Sequence, residues 1–225
     1  MLNDFQKFAL SKGVGTNLLD GYEKYNVKNG IIEPYILEER TLNCAPMSVF
    51  SRLMYDKIIF LGTEIDSDVA NIINAQLLYL NSIMDSKHED IKMFINTPGG
   101  SCIAGLAIYD IMNLVEPDVA TYCMGMCASM GSVLVSSGAR GKRRILPNGE
   151  VMIHQVISGA EGQLADMKIA VNHADRTQEK LYKILAQNTG KAYEQIFADA
   201  DRNNWFNAEE AIEYGLVDEI VRGEK

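Results

Sequence analysis

Short apolar runs alternate with amphipathic stretches along most of this chain. The runs "KIIFL" (57–61) and "IKMFIN" (91–96) are each followed by turn residues, which is typical of buried strands in a parallel sheet. Between them, "DSDVANIINAQLLYLNSIM" repeats apolar residues at helical spacing, and Asp66 or Ser67 can cap its start. The pattern therefore predicts a strand, a helix and a second strand.

The same alternation continues toward the carboxyl end. It predicts helices in "IAGLAIYDIMNLV", "SMGSVLVSSGA" and "NAEEAIEYG", and strands in "DVATYCMG", "KRRILP", "EVMIHQV" and "LVDEIV". Asn207 and Glu210 have the spacing of a capping box at the last of these helices. Strands that alternate with helices predict an α/β fold with a mostly parallel sheet.

One predicted helix is unusually long, from about residue 163 to residue 189, and Gly190 ends it. At ~1.5 Å per residue it would extend roughly 39 Å. Its apolar positions follow a three–four spacing that is interrupted at Gln178. The pattern leaves two interpretations open: the helix packs on another subunit, or it lies along its own domain.

Residues 1–33 differ from the rest because they are polar, dotted with glycine and weakly periodic. We interpret them as an N-terminal arm and residues 34–225 as one domain. The chain has 225 residues and is 47% hydrophobic with a net charge of −9, so a globular protein is expected and a nucleic-acid or membrane-surface role is not. No apolar run approaches ~20 residues, and the start lacks a secretory signal, so we expect a cytoplasmic protein.

The cysteines do not form a metal site in this pattern. No cysteine or histidine near Cys123 and Cys127 completes a zinc set, so we expect no metal and interpret all four as reduced thiols. The four are Cys44, Cys102, Cys123 and Cys127.

Ser129 is a candidate nucleophile because it lies between a predicted strand and a predicted helix, in "GMCASMGSVL". That context lifts a serine hydroxyl clear of the backbone. The alternatives are a serine that only packs, and Cys127 as the nucleophile. A serine also needs a base, and His154 is the candidate because it lies in an apolar strand, whereas His88 and His173 have polar surroundings.

A third group should orient the imidazole, and acyl transfer also needs donors for an oxyanion. The stretch "FADADRNNWFN" offers Asp199, Asp201, Asn203 and Asn204 for the first task, and the pattern does not choose among them. For the second, the turn "TPGG" brings backbone N–H groups at Gly99 and Gly100, and the N–H of Met130 follows the serine. A phosphate cradle is the alternative for "PGG", but it lacks the P-loop lysine.

Taken together, the motifs "FINTPGGSCIAGLAIYDIM", "CMGMCASMGSVLVSSGARGKRRILPN", "VMIHQ" and "EEAIEYGLVDEI" resemble the Clp protease (ClpP) family over roughly residues 34–221. The resemblance implies a ClpP/crotonase-like fold of repeated β-β-α units and a serine endopeptidase that degrades unfolded polypeptides. Related crotonase-fold enzymes share the oxyanion architecture without this pairing of serine and histidine.

The resemblance also implies roles for individual residues. Ser129 would be the nucleophile, His154 the general base and Asn203 the third member, with the N–H groups of Gly100 and Met130 as the oxyanion hole. Two segments would clamp the substrate as an added β-strand: the strand of Ser101, Cys102 and Ile103, and the segment of Val156, Ile157 and Ser158.

Family members form two stacked seven-membered rings around a chamber, so the resemblance implies a homo-oligomer, or a ring mixed with a paralogue. The helix over 163–189 matches the handle that joins the rings, and Asp201 and Arg202 match a charged pair between rings. The implied partner is an AAA+ unfoldase of the ClpX or ClpA/C type, which uses the ATP, so no cofactor is expected here. Phe94 matches an aromatic residue of the pocket in which family members dock this unfoldase, whereas Lys92 replaces a common second aromatic residue of that pocket.

This chain departs from the family pattern at the third member of the triad, where Asn203 takes the usual position of an aspartate. Three outcomes are open: Asn203 serves with slow catalysis, Asp201 replaces it, or the subunit acts beside an active paralogue. Two other functions remain as alternatives, a non-catalytic ring subunit and a crotonase-like acyl-CoA enzyme. Family members either remove the N-terminal arm by self-cleavage or use it to gate the pores, and the sequence does not decide between these.

Overall fold

The computed structural model describes residues 35–40, 43–83 and 89–223, with side chains from Met47 onward. The chain divides into two compact units, one ending at Asp56 and the other beginning at Lys57. The predicted arm, residues 1–33, lies outside the described residues.

In the described part of the first unit, an antiparallel hairpin is followed by a short helix. Its strands are β1 (Tyr35–Arg40) and β2 (Asn43–Ser48), and α1 (Val49–Tyr55) follows directly. The hydrophobic pattern predicted none of these elements, because the hairpin is too short and too polar to show a clear period of two.

The second unit contains most of the elements that the pattern predicted. In chain order they are β3 (Ile58–Leu61), α2 (Ser67–Ile83), β4 (Ile91–Thr97), α3 (Cys102–Leu114), β5 (Val119–Ala128), α4 (Met130–Ser136), β6 (Arg143–Ile145), β7 (Glu150–Ile153), α5 (Leu164–Thr189), α6 (Tyr193–Asp199), β8 (Asn204–Phe206), α7 (Ala208–Tyr214) and β9 (Glu219–Ile220). Only α6 and β8 were not expected.

The sheet of this unit is mostly parallel, which confirms the predicted α/β class. Its order is β3-β4-β5-β6-β9, and every neighbouring pair along this path is parallel. Strand β7 also lies parallel to β5, and β8 is antiparallel to β7. The sheet therefore forks at β5.

A bulge in β5 produces the fork. Ile95 of β4 pairs with Cys123 and Thr97 pairs with Cys127, so one residue of β4 faces three residues of β5. The side-chain oxygen Oδ1 of Asn96 accepts a hydrogen bond from Met126 N at 3.2 Å and holds the bulge. Before it, β5 pairs with β6; beyond it, β5 pairs with β7.

The helices follow the predicted caps, but several apolar residues of the predicted stripes are exposed. Asp66 caps α2 by accepting from Val69 N at 2.8 Å, and α2 buries Ile73, Leu77 and Leu80, while Ile72 is exposed although it shares the predicted stripe. Both halves of the predicted capping box at α7 are present, and Gly190 ends α5 with a φ of 77°.

A buried arginine joins the ends of three helices. Arg143 donates to both carboxylate oxygens of Asp218, at 2.9 and 2.5 Å. Its remaining guanidinium N–H bonds reach the carbonyls of Ser136, Asn188 and Gly215, which lie at the carboxyl ends of α4, α5 and α7. Such carbonyls have no partner within their own helix, so one cation satisfies three of them.

Candidate active site

Ser129 occupies a strained backbone conformation between β5 and α4. Its φ and ψ are 55° and −118°, and serine rarely adopts a positive φ. The strain persists because Ser129 N donates to Met152 O at 2.9 Å and because the following helix is buried along its whole length. The sharp turn presents the hydroxyl beyond the end of β5.

The double glycine lies against this turn because no larger residue fits there. A Cβ atom on Gly99 would lie 2.6 Å from Ser129 Cβ, and one on Gly100 would lie 2.3 Å from Ile65 O. The flanking residues of Gly100 make both bonds to the Ile65 backbone: Ile65 N donates to Gly99 O and Ser101 N donates to Ile65 O, each at 2.8 Å.

This bridge leaves a main-chain donor free near the serine. Because its neighbours make the bonds to Ile65, the N–H of Gly100 points to the other side. The N–H of Met130 is the first in α4, where backbone donors have no partner in the helix. Gly100 and Met130 thus offer two N–H groups beside Ser129, and their role as an oxyanion hole stays a prediction of the family resemblance.

The register of β7 beside β5 brings His154 to the serine. Ala128 pairs with Met152, so the residues that follow the two strands meet at one edge of the sheet. The ring atom Nε2 of His154 lies 2.7 Å from Ser129 Oγ. With a proton on Nδ1, the ring accepts the serine proton at Nε2.

The antiparallel pairing of β7 with β8 selects the third residue. Ile153 pairs with Asn204 in this antiparallel ladder. The residue after Ile153, which is His154, therefore lies beside the residue before Asn204, which is Asn203. Asn203 Oδ1 lies 3.0 Å from Nδ1 of the ring. The residue is exposed, and within the described part of the chain no group accepts a hydrogen bond from its Nδ2.

The other acidic candidates have different partners. Asp199 accepts from the hydroxyl of Tyr214 at 2.6 Å. Asp201 is exposed, with its carboxylate 3.8 Å from Nε of Arg202, and its carbonyl accepts from the side chain of Gln155. Neither carboxylate contacts His154.

Two depressions that share lining residues lie at and beside the serine. A cavity of about 230 Å³ contains Ser129 and His154, and α5 contributes Leu181, Tyr182 and Leu185 to its wall. A wider groove of about 580 Å³ is lined by residues 101–103, residues 156–158 and side chains of α5. The three pocket residues of α5 were missed, although Leu181 and Leu185 belong to its apolar stripe.

One predicted substrate segment has a different structure from the expected strand. Ser101 is the N-cap of α3, since its hydroxyl accepts from Ala104 N at 3.3 Å. Cys102 and Ile103 form the first helical turn, so the prediction of a strand over these residues was wrong. They nevertheless line the groove, together with Val156 and Ile157.

The rival nucleophile is not placed for catalysis. Cys127 is fully buried with its Sγ 3.4 Å from Ile95 O, and burial raises the pKa of its thiol well above the usual range. Cys102 reaches the groove, but burial raises the pKa of this thiol too. His173 is exposed on α5 and lines the groove, while His88 lies outside the described residues.

Phe94 lies on the sheet away from the serine. Its ring stacks on Tyr122 with 4.5 Å between centroids, and Arg144 lies 5.2 Å from the centre of the Tyr122 ring. Lys92 is exposed on the same strand.

Among residues 35–40, 43–83 and 89–223, no helix is long and apolar enough to span a bilayer, and no three potential ligands converge as a metal site.

Comparison with known proteins gives consistent matches over nearly the whole chain. The family model described as Clp protease matches residues 43–224. A curated ATP-dependent Clp protease proteolytic subunit of Bacteroides fragilis strain YCH46 is 48% identical over 98% of this chain and 99% of its own length. The subunit of the same description from Porphyromonas gingivalis strain W83 is 48% identical over 98% of both chains.

Proposed function

This chain belongs to the Clp protease family and is a serine peptidase, and we propose that Ser129, His154 and Asn203 form its catalytic triad. The observation that carries the proposal is the chain of two contacts through one imidazole, 2.7 Å to the serine oxygen and 3.0 Å to the asparagine oxygen. Serine peptidases that use a histidine as general base have this order of groups.

The reaction follows from the placement of these atoms. Ser129 Oγ attacks the substrate carbonyl while Nε2 of His154 takes its proton, and the N–H groups of Gly100 and Met130 stabilise the oxyanion. The imidazolium then gives the proton to the leaving amine, which leaves an acyl-serine. Water, activated by the same Nε2, releases the acid and restores the hydroxyl.

Asn203 supports only part of what an aspartate does. Its Oδ1 keeps the proton on Nδ1 of His154, but the amide has no charge to stabilise the imidazolium. Because Nδ2 has no acceptor in the described part of the chain, the amide is also free to rotate and offer a donor to Nδ1. The proton would then reside on Nε2, where it blocks transfer from Ser129. We therefore propose a peptidase of reduced intrinsic activity.

The groove beside the triad suits an extended polypeptide. Residues 101–103 and 156–158 both line it, and a chain bound by main-chain hydrogen bonds is recognised with little regard to its side chains. We propose unfolded polypeptides as substrates. The apolar wall from α5 favours an apolar side chain next to the cleaved bond.

The assembly and its partner extend this proposal. The relatives are described as subunits of an ATP-dependent protease, which supports an oligomer that works with an ATPase. The proposed assembly is two stacked heptameric rings, homomeric or mixed with a paralogue, and the proposed partner is an AAA+ unfoldase of the ClpX or ClpA/C type. ATP would be used by the unfoldase, so this chain would need no cofactor. Asp201 and Arg202 would connect the rings, Phe94 would contact the unfoldase, and the assembly would work in the cytoplasm.

A second candidate function is a ring subunit that contributes structure and little catalysis. The uncharged Asn203 favours it, whereas the contact between Ser129 and His154 favours catalysis. A crotonase-like acyl-CoA activity gives His154 no task, so this contact argues against it.

Labelling with a serine-reactive fluorophosphonate separates these functions. We expect wild-type protein to be labelled at Ser129, Ser129→Ala not to be labelled, and a fluorogenic peptide to be cleaved slowly while an acyl-CoA thioester is not. If Ser129 is not labelled although the protein is folded and assembled, the peptidase mechanism is wrong and the structural subunit is favoured.

A further inference from the structure

Gln178 interrupts the apolar stripe of α5, and the structure shows a specific contact for it. Its Oε1 accepts a hydrogen bond from the backbone N of Val156 at 3.0 Å. The side chain is half-buried. A polar residue in an apolar stripe is thus used to hold one backbone group of the segment that follows His154.

That segment has few other anchors. Residues 154–160 belong to no helix or strand, so individual contacts determine their course. His154 is held by the triad, and Gln155 donates from Nε2 to Asp201 O at 2.7 Å. Among the described residues, the contact with Gln178 is the last hydrogen bond to this segment before α5 begins. Ile157 follows it and is 82% exposed.

The bond also fixes how the segment is turned. A cavity of about 250 Å³ is lined by both Gln178 and Val156, whereas the substrate groove is lined by Val156 and Ile157 but not by Gln178. The Val156 N–H is therefore already bonded to a side chain that does not line the groove. In an extended chain neighbouring main-chain groups point to opposite sides, so a substrate that pairs with this segment as a strand would use the groups of Ile157.

We propose that Gln178 is a positioning residue for the substrate: by accepting from Val156 N, it orients residues 156–158 so that an extended polypeptide pairs with Ile157. The inference rests on the proposed peptidase function. It assigns to α5 a direct influence on substrate binding in the same subunit, separate from any contact of this helix with other subunits.

The test compares Gln178→Met with Gln178→Glu in the full-length, assembled protein. Methionine keeps the length and helix propensity of glutamine but cannot accept well, whereas glutamate keeps an acceptor oxygen. For a fluorogenic peptide long enough to fill the groove, we expect KM to rise about fivefold in Gln178→Met and to stay near the wild-type value in Gln178→Glu. The rate of labelling of Ser129 by a small fluorophosphonate should stay within about twofold in both, since one hydrogen bond in the groove does not touch this reagent.

Gln187→Met is the matched control, because Gln187 is exposed on the same helix and its side chain makes no hydrogen bond in the described structure. It should leave KM unchanged. The proposal is overturned if Gln178→Met leaves KM unchanged, or if both Gln178 variants lose labelling and peptide cleavage equally, since that pattern indicates general damage to the fold. A wild-type protein that is never labelled at Ser129 would instead overturn the peptidase function, and this inference with it.

Discussion

The two ends of α4 are built in opposite ways. At its start, Ser129 has a strained backbone, and Asn203, the proposed third member of the triad, is exposed and bonds to His154 through one contact. At its end, Ser136 O accepts from the buried Arg143, which is fixed by Asp218 and also bonds the ends of two more helices. The carboxyl end of α4 is thus held by a network of hydrogen bonds. Beside its amino end, backbone N–H donors and Nδ2 of Asn203 make no hydrogen bond in the described structure.

The difference shows how a strained nucleophile is maintained. A conformation such as that of Ser129 costs ~1–3 kcal/mol and persists only where the surroundings determine it. The Arg143 network supplies that rigidity at the far end of a short buried helix, so the reactive end can keep main-chain donors free for the substrate. Stability and reactivity are thus assigned to different ends of one element.

Adding charge at the reactive end should have the largest effect. We expect Asn203→Asp to raise kcat for a fluorogenic peptide, by up to about 10⁴-fold, which is the factor that the reverse change costs a serine protease with an aspartate. The matched control is Asn204→Asp, which adds the same charge one residue away, in β8. Steady-state peptide hydrolysis measures both; a rate that is unchanged or lower in Asn203→Asp would contradict the proposed weakness of this triad.

Removing the cation at the carboxyl end of α4 should cost stability. Arg143→Met leaves Asp218 partly buried without its partner and three helix-end carbonyls without a donor, so we expect a loss of about 3–5 kcal/mol in the free energy of unfolding. The neighbouring Arg144→Met removes a more exposed ion pair with Glu219 and should cost less than about 1 kcal/mol. Denaturant unfolding measures the loss of stability in both variants. Equal losses would show that the Arg143 network stabilises the fold no more than the exposed ion pair does.

The same network should make stability depend on acid pH. Burial alone would raise the pKa of Asp218, but the hydrogen bonds from Arg143 and from Gly141 N outweigh it and hold the pKa below its usual range. This carboxylate therefore stabilises the fold above the ordinary aspartate pKa of about 3.9, and the contribution is lost as pH falls through the lower pKa of the folded state.

Thermal unfolding between about pH 2 and pH 6 tests this dependence. Asp218→Asn should be less stable than wild type near neutral pH, and the difference should shrink as the pH falls. A constant difference at all pH values would show that the charge of Asp218 is not involved.

Relieving the strain at Ser129 should have the smallest effect. Both Ser129→Ala and Ser129→Gly remove the nucleophile, but only glycine adopts a φ of 55° readily. We expect Ser129→Gly to be more stable than Ser129→Ala by about 1 kcal/mol in denaturant unfolding. If alanine is equally stable, the backbone at this turn is not strained in solution.

The sequence predicted the parallel sheet and the serine and histidine because these features depend on neighbours in the chain. Apolar runs, turn glycines and the apolar setting of His154 are visible within about ten residues. The choice of Asn203 among four polar residues was not visible from the residues alone, because it depends on the register between β7 and β8, and a three-residue strand has no readable period. There the family resemblance gave the residue.

The hydrophobic pattern also could not show contacts between residues that are distant in the sequence. Nothing in the sequence singled out Arg143, yet its contacts are with residues as far along the chain as Asp218. In the sequence, Gln178 stands out only because it interrupts the apolar stripe of α5. A side chain that accepts a hydrogen bond from one backbone N–H produces no periodic pattern in the sequence. The expected strand at 101–103 was wrong because the hydroxyl of Ser101 caps a helix there.

The fork at β5 has a consequence for how this chain can vary. One strand has two successive neighbours only because the bulge beside Asn96 contains a fixed number of residues. An insertion or deletion of one residue between Cys123 and Cys127 would rotate the end of β5 by one position and turn the hydroxyl of Ser129 away from His154. Homologues that keep proteolysis should therefore differ here by substitution while the length of this stretch stays constant.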